Sequence, residues 1–180
     1  MILQQYKIVF AGSMGAGKTE AIKSLSEIPV LATEVFNTDS QAHNKMQTTV
    51  GIDYGEITLD DGVKIGLYGT PGQTRFDFIW PVICQGALGV IILVDHNSKV
   101  PLEELEGYLD TFKDYTQNIS IGITHVDENK GQPISIYRDW LIQNEYQYPL
   151  FFIDARKQEH ILLMIESLIA ALEVNLRATN

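Results

Sequence analysis

Eight residues, Gly12-Ser13-Met14-Gly15-Ala16-Gly17-Lys18-Thr19, place three glycines, a lysine and a hydroxyl at a spacing that suits a polyphosphate. The glycines let the backbone wrap closely, so that its N–H groups and the N-terminus of a following helix face the anion. Lys18 supplies a point charge, and Thr19 a hydroxyl for Mg²⁺. The plainer alternative is a glycine-rich turn with a chance Gly-Lys-Thr. Against it stands the context, an apolar strand-like run before the glycines and a helix-length segment after them.

That context recurs along the chain. Short β-rich runs from Tyr6 to Ala11, Ala87 to Asp95, Asn118 to Thr124 and Pro149 to Ile153 alternate with helix-length segments. The helices are expected from Gly17 to Glu27, Pro101 to Tyr115, Pro133 to Glu145 and Gln158 to Arg177, with a kinked segment around Gln73 to Gln85. Such alternation predicts a mostly parallel sheet covered by helices on both faces. ALGVIILVD is apolar until its last residue, as a central strand buried on both faces requires. VGIDYGEITLDDGVKIGLYG alternates instead around Asp60-Asp61-Gly62, a turn that joins two antiparallel strands and makes the sheet mixed. In the last helix Ile161, Met164, Ile165, Leu168, Ile169 and Leu172 form one apolar stripe, expected to face the core. Pro29 to Gln47 lacks clear periodicity and reads as a long loop, either functional or disordered.

Composition bounds the role. At 180 residues with 45% hydrophobic content, one domain over residues 1–180 is expected. A net charge of -10 argues against nucleic acid and anionic membranes as main partners. The single cysteine, Cys84, fits a reducing compartment and reads as a small core residue. Nothing in MILQQYKIVF or LRATN encodes a signal or a lipid anchor, so a cytoplasmic protein reaching membranes only through partners is expected.

With these elements in order, the sequence resembles the Ras-like small GTPases over nearly its whole length. The resemblance implies the P-loop NTPase fold with a six-stranded, mostly parallel sheet holding one antiparallel strand, GTP and GDP as ligands, and Mg²⁺. It implies nucleotide contacts from Gly12, Gly15, Ala16, Gly17, Lys18, Thr19 and Glu20, with Lys18 also serving catalysis. Thr48 to Tyr54 looks like the first switch, with Thr49 joining Thr19 at the metal. Gly69-Thr70-Pro71-Gly72-Gln73 looks like the second, in which Gly72 would contact the γ-phosphate and Gln73 orient the attacking water. Thr124-His125-Val126-Asp127 and Asp154-Ala155-Arg156 stand where the family reads the base. Asp127 would accept hydrogen bonds from guanine N1–H and its 2-amino group, and the Ala155 N–H would meet O6. His125 and Arg156 would stack on the ring, or else are solvated loop residues.

Several departures from the family pattern set the questions. Gly69 stands where the family carries an aspartate that holds a magnesium-bound water, and loss of such a partner typically costs about 10- to 100-fold in metal affinity or activity. Asp95, Asp39 and Asp53 are candidate replacements, against the plainer reading of each as a strand-end or loop carboxylate. Pro71 stiffens the hinge before Gly72. The Gly-Thr-Pro-Gly-Gln and Thr-His-x-Asp variants are similar to the prokaryotic Ras-like branch, relatives of the gliding-motility polarity GTPase, which implies a roadblock-fold partner. No arginine lies between Ile28 and Thr49, so slow hydrolysis needing an outside activator is expected, with Arg75 anchoring the second switch. Phe76, Phe78 and Trp80, before Pro81, divide between core packing and effector contact. Two other classes stay open: a GTP-binding adaptor with negligible hydrolysis, and an ATP-using P-loop kinase. The kinase lacks a visible arginine-rich lid, since Asp127 to Arg138 holds one arginine.

Overall fold

The computed structural model describes residues 6–36, 49–72, 74–127 and 131–178. Along the chain run β1 (Tyr6–Gly12), α1 (Lys18–Leu25), β2 (Leu31–Phe36), β3 (Thr49–Thr58), β4 (Lys64–Gly69), a 3-10 turn (Thr74–Ile79), α2 (Trp80–Cys84), β5 (Gly89–Asp95), α3 (Pro101–Phe112), β6 (Ile119–Thr124), α4 (Ser135–Gln143), β7 (Leu150–Phe152) and α5 (Gln158–Ala178). The sheet order is β2-β3-β4-β1-β5-β6-β7. β1 pairs in parallel with β4 and β5, and β5-β6 and β6-β7 are parallel too. β3 is antiparallel to both β2 and β4, so it alone opposes the other strands.

The mixed sheet with a single antiparallel strand is as expected, but among the described residues it has seven strands rather than six. The extra one is β2, inside the stretch expected to be loop. LATEVF forms an edge strand with only β3 beside it among the described residues, and Leu31 at its start is exposed. The kinked segment resolves into a 3-10 turn followed by α2, whose first turn carries Pro81 where a missing N–H costs nothing.

Period-two geometry divides the core into two layers. Val9 and Ala11 of β1, with Val90, Ile92 and Val94 of β5, pack under α2, α3 and α4 against Trp80, Leu105, Leu109, Phe112, Tyr137 and Leu141. Ile8 and Phe10, with Ile91 and Leu93, face the opposite side against Ile22 of α1 and Ile161, Met164, Ile165 and Leu168 of α5. Four residues of the predicted α5 stripe are thus fully buried, each contributing about 1.5–3 kcal/mol. Cys84 is buried in the first layer, and burial pushes its thiol up to about 11. Among the described residues no helix is long and apolar enough to cross a membrane.

Strand order reverses direction around β1, which has β4 on one side and β5 on the other. In open α/β sheets ligands bind at such a switch point, beyond the carboxyl ends of the strands. Gly12, Gly69, Asp95 and Thr124 are the last residues of β1, β4, β5 and β6. Asp53, in the antiparallel strand, pairs with Gly69 and so joins the same edge.

Candidate nucleotide site

The phosphate loop runs from the end of β1 to Gly17, which precedes α1 with φ 101°. Glycine is required there twice over. A side chain would be strained in that conformation, and its Cβ would lie 2.9 Å from Ala155 Cβ and 3.7 Å from Thr124 Cγ2. Gly17 therefore brings the segments after β6 and β7 against the loop. Thr124 binds them further: its buried hydroxyl lies 3.0 Å from the Ala16 carbonyl and 3.2 Å from the Val94 carbonyl, donating between the two. Gly72 closes the other side, where a Cβ would stand 2.5 Å from the Met14 nitrogen.

Lys18 is buried, and its amine donates to the carbonyls of Gly12 (2.6 Å) and Ser13 (2.8 Å). Burial lowers its pKa to about 8, with the Asp53 carboxylate pulling in the opposite sense. An ammonium has three N–H groups, so one stays available for a phosphate oxygen.

Asp53 is the candidate replacement that lies beside Gly69. The two residues are directly paired across β3 and β4, and the Asp53 carboxylate accepts a hydrogen bond from the Thr19 hydroxyl. A Cβ on residue 69 would come 3.2 Å from Asp53 Cβ, 3.6 Å from Asp53 Oδ2 and 3.0 Å from Ile22 Cδ1. The missing side chain on β4 is the space that the carboxylate from β3 uses. The Asp95 carboxylate, at the end of β5, accepts the Asn97 N–H in its own turn at 2.8 Å. Asp39 lies outside the described residues, as do Gln73 and the side chains of Thr49, Arg75 and Phe76.

The donor set suits a hard divalent cation. Thr19, Asp53 and Thr70 line one pocket with Lys18 and Gly72, and the Thr70 hydroxyl is buried with no partner among the described residues. No group of three or more His, Cys, Asp or Glu gathers among the described residues. An ion held here would draw its other ligands from water and phosphate, the habit of Mg²⁺.

Beside the phosphate pocket opens a cavity of about 150 Å³ lined by Gly17, Glu20, Thr124, His125, Asp127 and Ala155, among others. It joins the residues expected to read the base. His125 takes a positive φ of 58°, which turns the chain between Thr124 and the exposed Asp127. Arg156 also lines the cavity, but its guanidinium is clamped by Asp154 through bonds of 2.9 and 2.8 Å. That clamp, chiefly through the side-chain hydrogen bond from Arg156, holds the Asp154 carboxyl well below the usual range. Glu20 is exposed on the first turn of α1 and pairs with Lys23 at 3.3 Å.

Sequence reasoning missed the Thr70 hydroxyl and Glu104. The Glu104 carboxylate, on α3, accepts from Ser13 Oγ at 2.9 Å and from Ser98 Oγ at 2.6 Å, bracing the phosphate loop from outside. No motif signals it. Trp80, expected to divide with its neighbours between core and surface, is buried, whereas Phe78 is 42% exposed.

Fold and site together define a P-loop nucleotide-binding domain of the G-domain type. The chain belongs to the family described as "Conserved hypothetical ATP binding protein", whose model matches residues 10–126. It is similar to the Ras-related protein Rab11B of Nicotiana tabacum, 30% identical over 120 residues that make up 64% of this chain and 50% of that protein. It is also similar to Rab-13 of Canis lupus familiaris, 31% identical over 121 residues, 66% of this chain and 52% of that one. The chain thus spans about half the length of these curated relatives. Its fold matches the G domain of the T. maritima FeoB iron transporter with a TM-score of 0.65 at 19% identity, covering 93% of this chain and 98% of that one.

Proposed function

We propose that this chain is a guanine-nucleotide switch that binds GTP and GDP with Mg²⁺ and hydrolyses GTP slowly. The observation that carries this reading is Asp127 sharing one cavity with Gly17 of the phosphate loop and with Ala155. A carboxylate there meets two donors on guanine, N1–H and the 2-amino group, whereas adenine presents none at that edge. An adenine nucleotide is the second reading, and the family's description as ATP-binding favours it.

In the reaction proposed, water attacks the γ-phosphorus and the bond to the β–γ bridging oxygen breaks, leaving GDP and phosphate. Lys18, already anchored to two loop carbonyls, turns its remaining N–H toward the developing negative charge. Mg²⁺, when bound, neutralises charge on the β- and γ-oxygens. Thr19 and Thr49 would hold it, with Asp53 in the part that an aspartate at residue 69 would otherwise play. Gln73 would orient the water. Slow turnover is the reading supported by the absence of arginine between Ile28 and Thr49, which leaves the first switch without a cation to supply in cis.

The switch would work in the cytoplasm, meeting effectors and activators through the segments around Thr49 and Gly72. A place in the prokaryotic Ras-like branch, with a roadblock-fold partner, rests on the Gly-Thr-Pro-Gly-Gln and Thr-His-x-Asp variants. Asp127→Asn tests the base assignment, because an amide donates where the carboxylate accepts. The variant is expected to lose GTP affinity and gain affinity for xanthosine triphosphate. An unchanged preference for GTP would remove Asp127 from the base site.

A further inference from the structure

Asp127 is exposed, and among the described residues no hydrogen bond holds its side chain. Its carboxylate is therefore placed by the course of the chain on either side of it. On the near side His125 takes a φ of 58°, a left-handed conformation that costs a non-glycine residue about 1–3 kcal/mol and persists only where the surroundings impose it.

One residue grips the chain on both sides. His96, the first residue after β5, is 0% exposed, so it touches no ligand and acts only through what it holds. Its backbone N–H donates to the Thr124 carbonyl at 3.0 Å, immediately before His125. Its ring Nε2 lies 3.1 Å from the Gln132 carbonyl, beyond Asp127 in the chain. Its Nδ1 lies 2.8 Å from the Tyr137 hydroxyl on α4. A carbonyl only accepts, so Nε2 carries the proton, and Nδ1 of the neutral ring accepts from Tyr137. Burial, with Asp95 and Glu104 adding to it, pushes the Tyr137 phenol up to about 12, so that proton is present. Tyr137 thereby fixes the tautomer that donates to Gln132.

We propose that His96 is a positioning residue for base recognition: it pins the segment that carries Asp127 at both ends, at Thr124 and at Gln132, and so sets where the carboxylate meets the base. Holding the segment in place beforehand spares the binding step the entropy of ordering it. The proposal rests on the reading of Asp127 as the guanine contact.

The preference for GTP over inosine triphosphate provides the test, because inosine lacks only the 2-amino group that donates to Asp127. Both affinities are measured by equilibrium competition on the purified full chain. The native protein is expected to prefer GTP about tenfold or more, the scale of one hydrogen bond to a charged group, and Asp127→Ala to abolish the preference. His96→Phe, a ring without nitrogens, is expected to lower the preference at least about threefold, and His96→Gln, whose amide donates to the Gln132 carbonyl, to keep most of it. Tyr137→Phe deletes a single hydroxyl and serves where His96→Phe does not fold. It is expected to lower the preference too, and to cost the His96 imidazole ¹⁵N signals the pattern of a single Nε2–H tautomer. A residue that only supported the fold would change the urea midpoint and leave the ratio of the two affinities alone. A native ratio in the His96→Phe and Tyr137→Phe variants, beside a lost one in Asp127→Ala, would overturn the proposal and leave the base assignment standing. A native ratio in Asp127→Ala would remove the base assignment, and the role of His96 with it.

Discussion

Asp53 on β3 stands directly opposite Gly69 on β4, and its carboxylate accepts the Thr19 hydroxyl. The arrangement predicts a reciprocal pair of variants. Asp53→Ala should weaken Mg²⁺-dependent nucleotide retention by roughly 10- to 100-fold. Gly69→Asp alone should also weaken it, because its Cβ would lie 3.2 Å from Asp53 Cβ and set two carboxylates against each other. The double variant should recover at least about tenfold over Asp53→Ala, a coupling that a double-mutant cycle measures. Release of a fluorescent nucleotide at stepped Mg²⁺ concentrations reads all three, and strictly additive losses would refute the exchange.

Lys18 makes nucleotide binding proton-linked. Burial lowers its pKa to about 8 in the free protein, and a polyphosphate favours the charged amine and raises it again. Binding should therefore take up roughly three quarters of a proton at about pH 8.5, and almost none at about pH 6.5, where the amine is already charged. Calorimetry in two buffers of different protonation enthalpy separates these cases, and zero uptake at the higher pH would contradict the shift. For the same reason the unfolded chain binds the extra proton between about 8 and 10.5, so this lysine makes the nucleotide-free protein gain stability as pH rises through that window.

Thr124 is expected to act through position. Thr124→Val keeps the shape but removes the hydroxyl between the Ala16 and Val94 carbonyls, and should cost about 1–2 kcal/mol in urea denaturation. Thr124→Ser restores the donor and should recover most of that. If valine matched the native stability, the hydroxyl would not be tying the phosphate loop to β5 and β6.

Gln73 separates a switch from an adaptor. In single-turnover hydrolysis a switch should slow by at least about tenfold on Gln73→Ala, the scale of losing a positioned catalytic group. Equal, negligible rates with and without the glutamine would favour the adaptor.

Much of this site was legible in the sequence because its parts are local. Gly12 to Thr19 declares itself within eight residues, and a strand before it and a helix after it suffice to place it. Even the Asp53–Gly69 pairing was within reach. In a hairpin closed by Asp60-Asp61-Gly62, with Thr58 opposite Lys64, five steps back from Thr58 is Asp53 and five steps on from Lys64 is Gly69. What the sequence could not yield were contacts across long separations and edges without a buried face. Glu104 reaches Ser13 over 91 positions with no motif around it. β2 is held by a single neighbouring strand, and its pattern does not show that neighbour. The pairing of Arg156 with Asp154 follows from a turn geometry that composition leaves open.

The central claim is that the cavity holding Asp127 and Ala155 reads guanine, although the family's printed description names ATP. Equilibrium competition of unlabelled GTP and ATP against a fluorescent guanine nucleotide on the purified chain tests it most directly. The account predicts that GTP displaces the probe at least about a hundredfold more effectively than ATP, the discrimination expected when a carboxylate gains two hydrogen bonds from guanine and none from adenine. Equal displacement by the two nucleotides, or a preference for ATP, would contradict it.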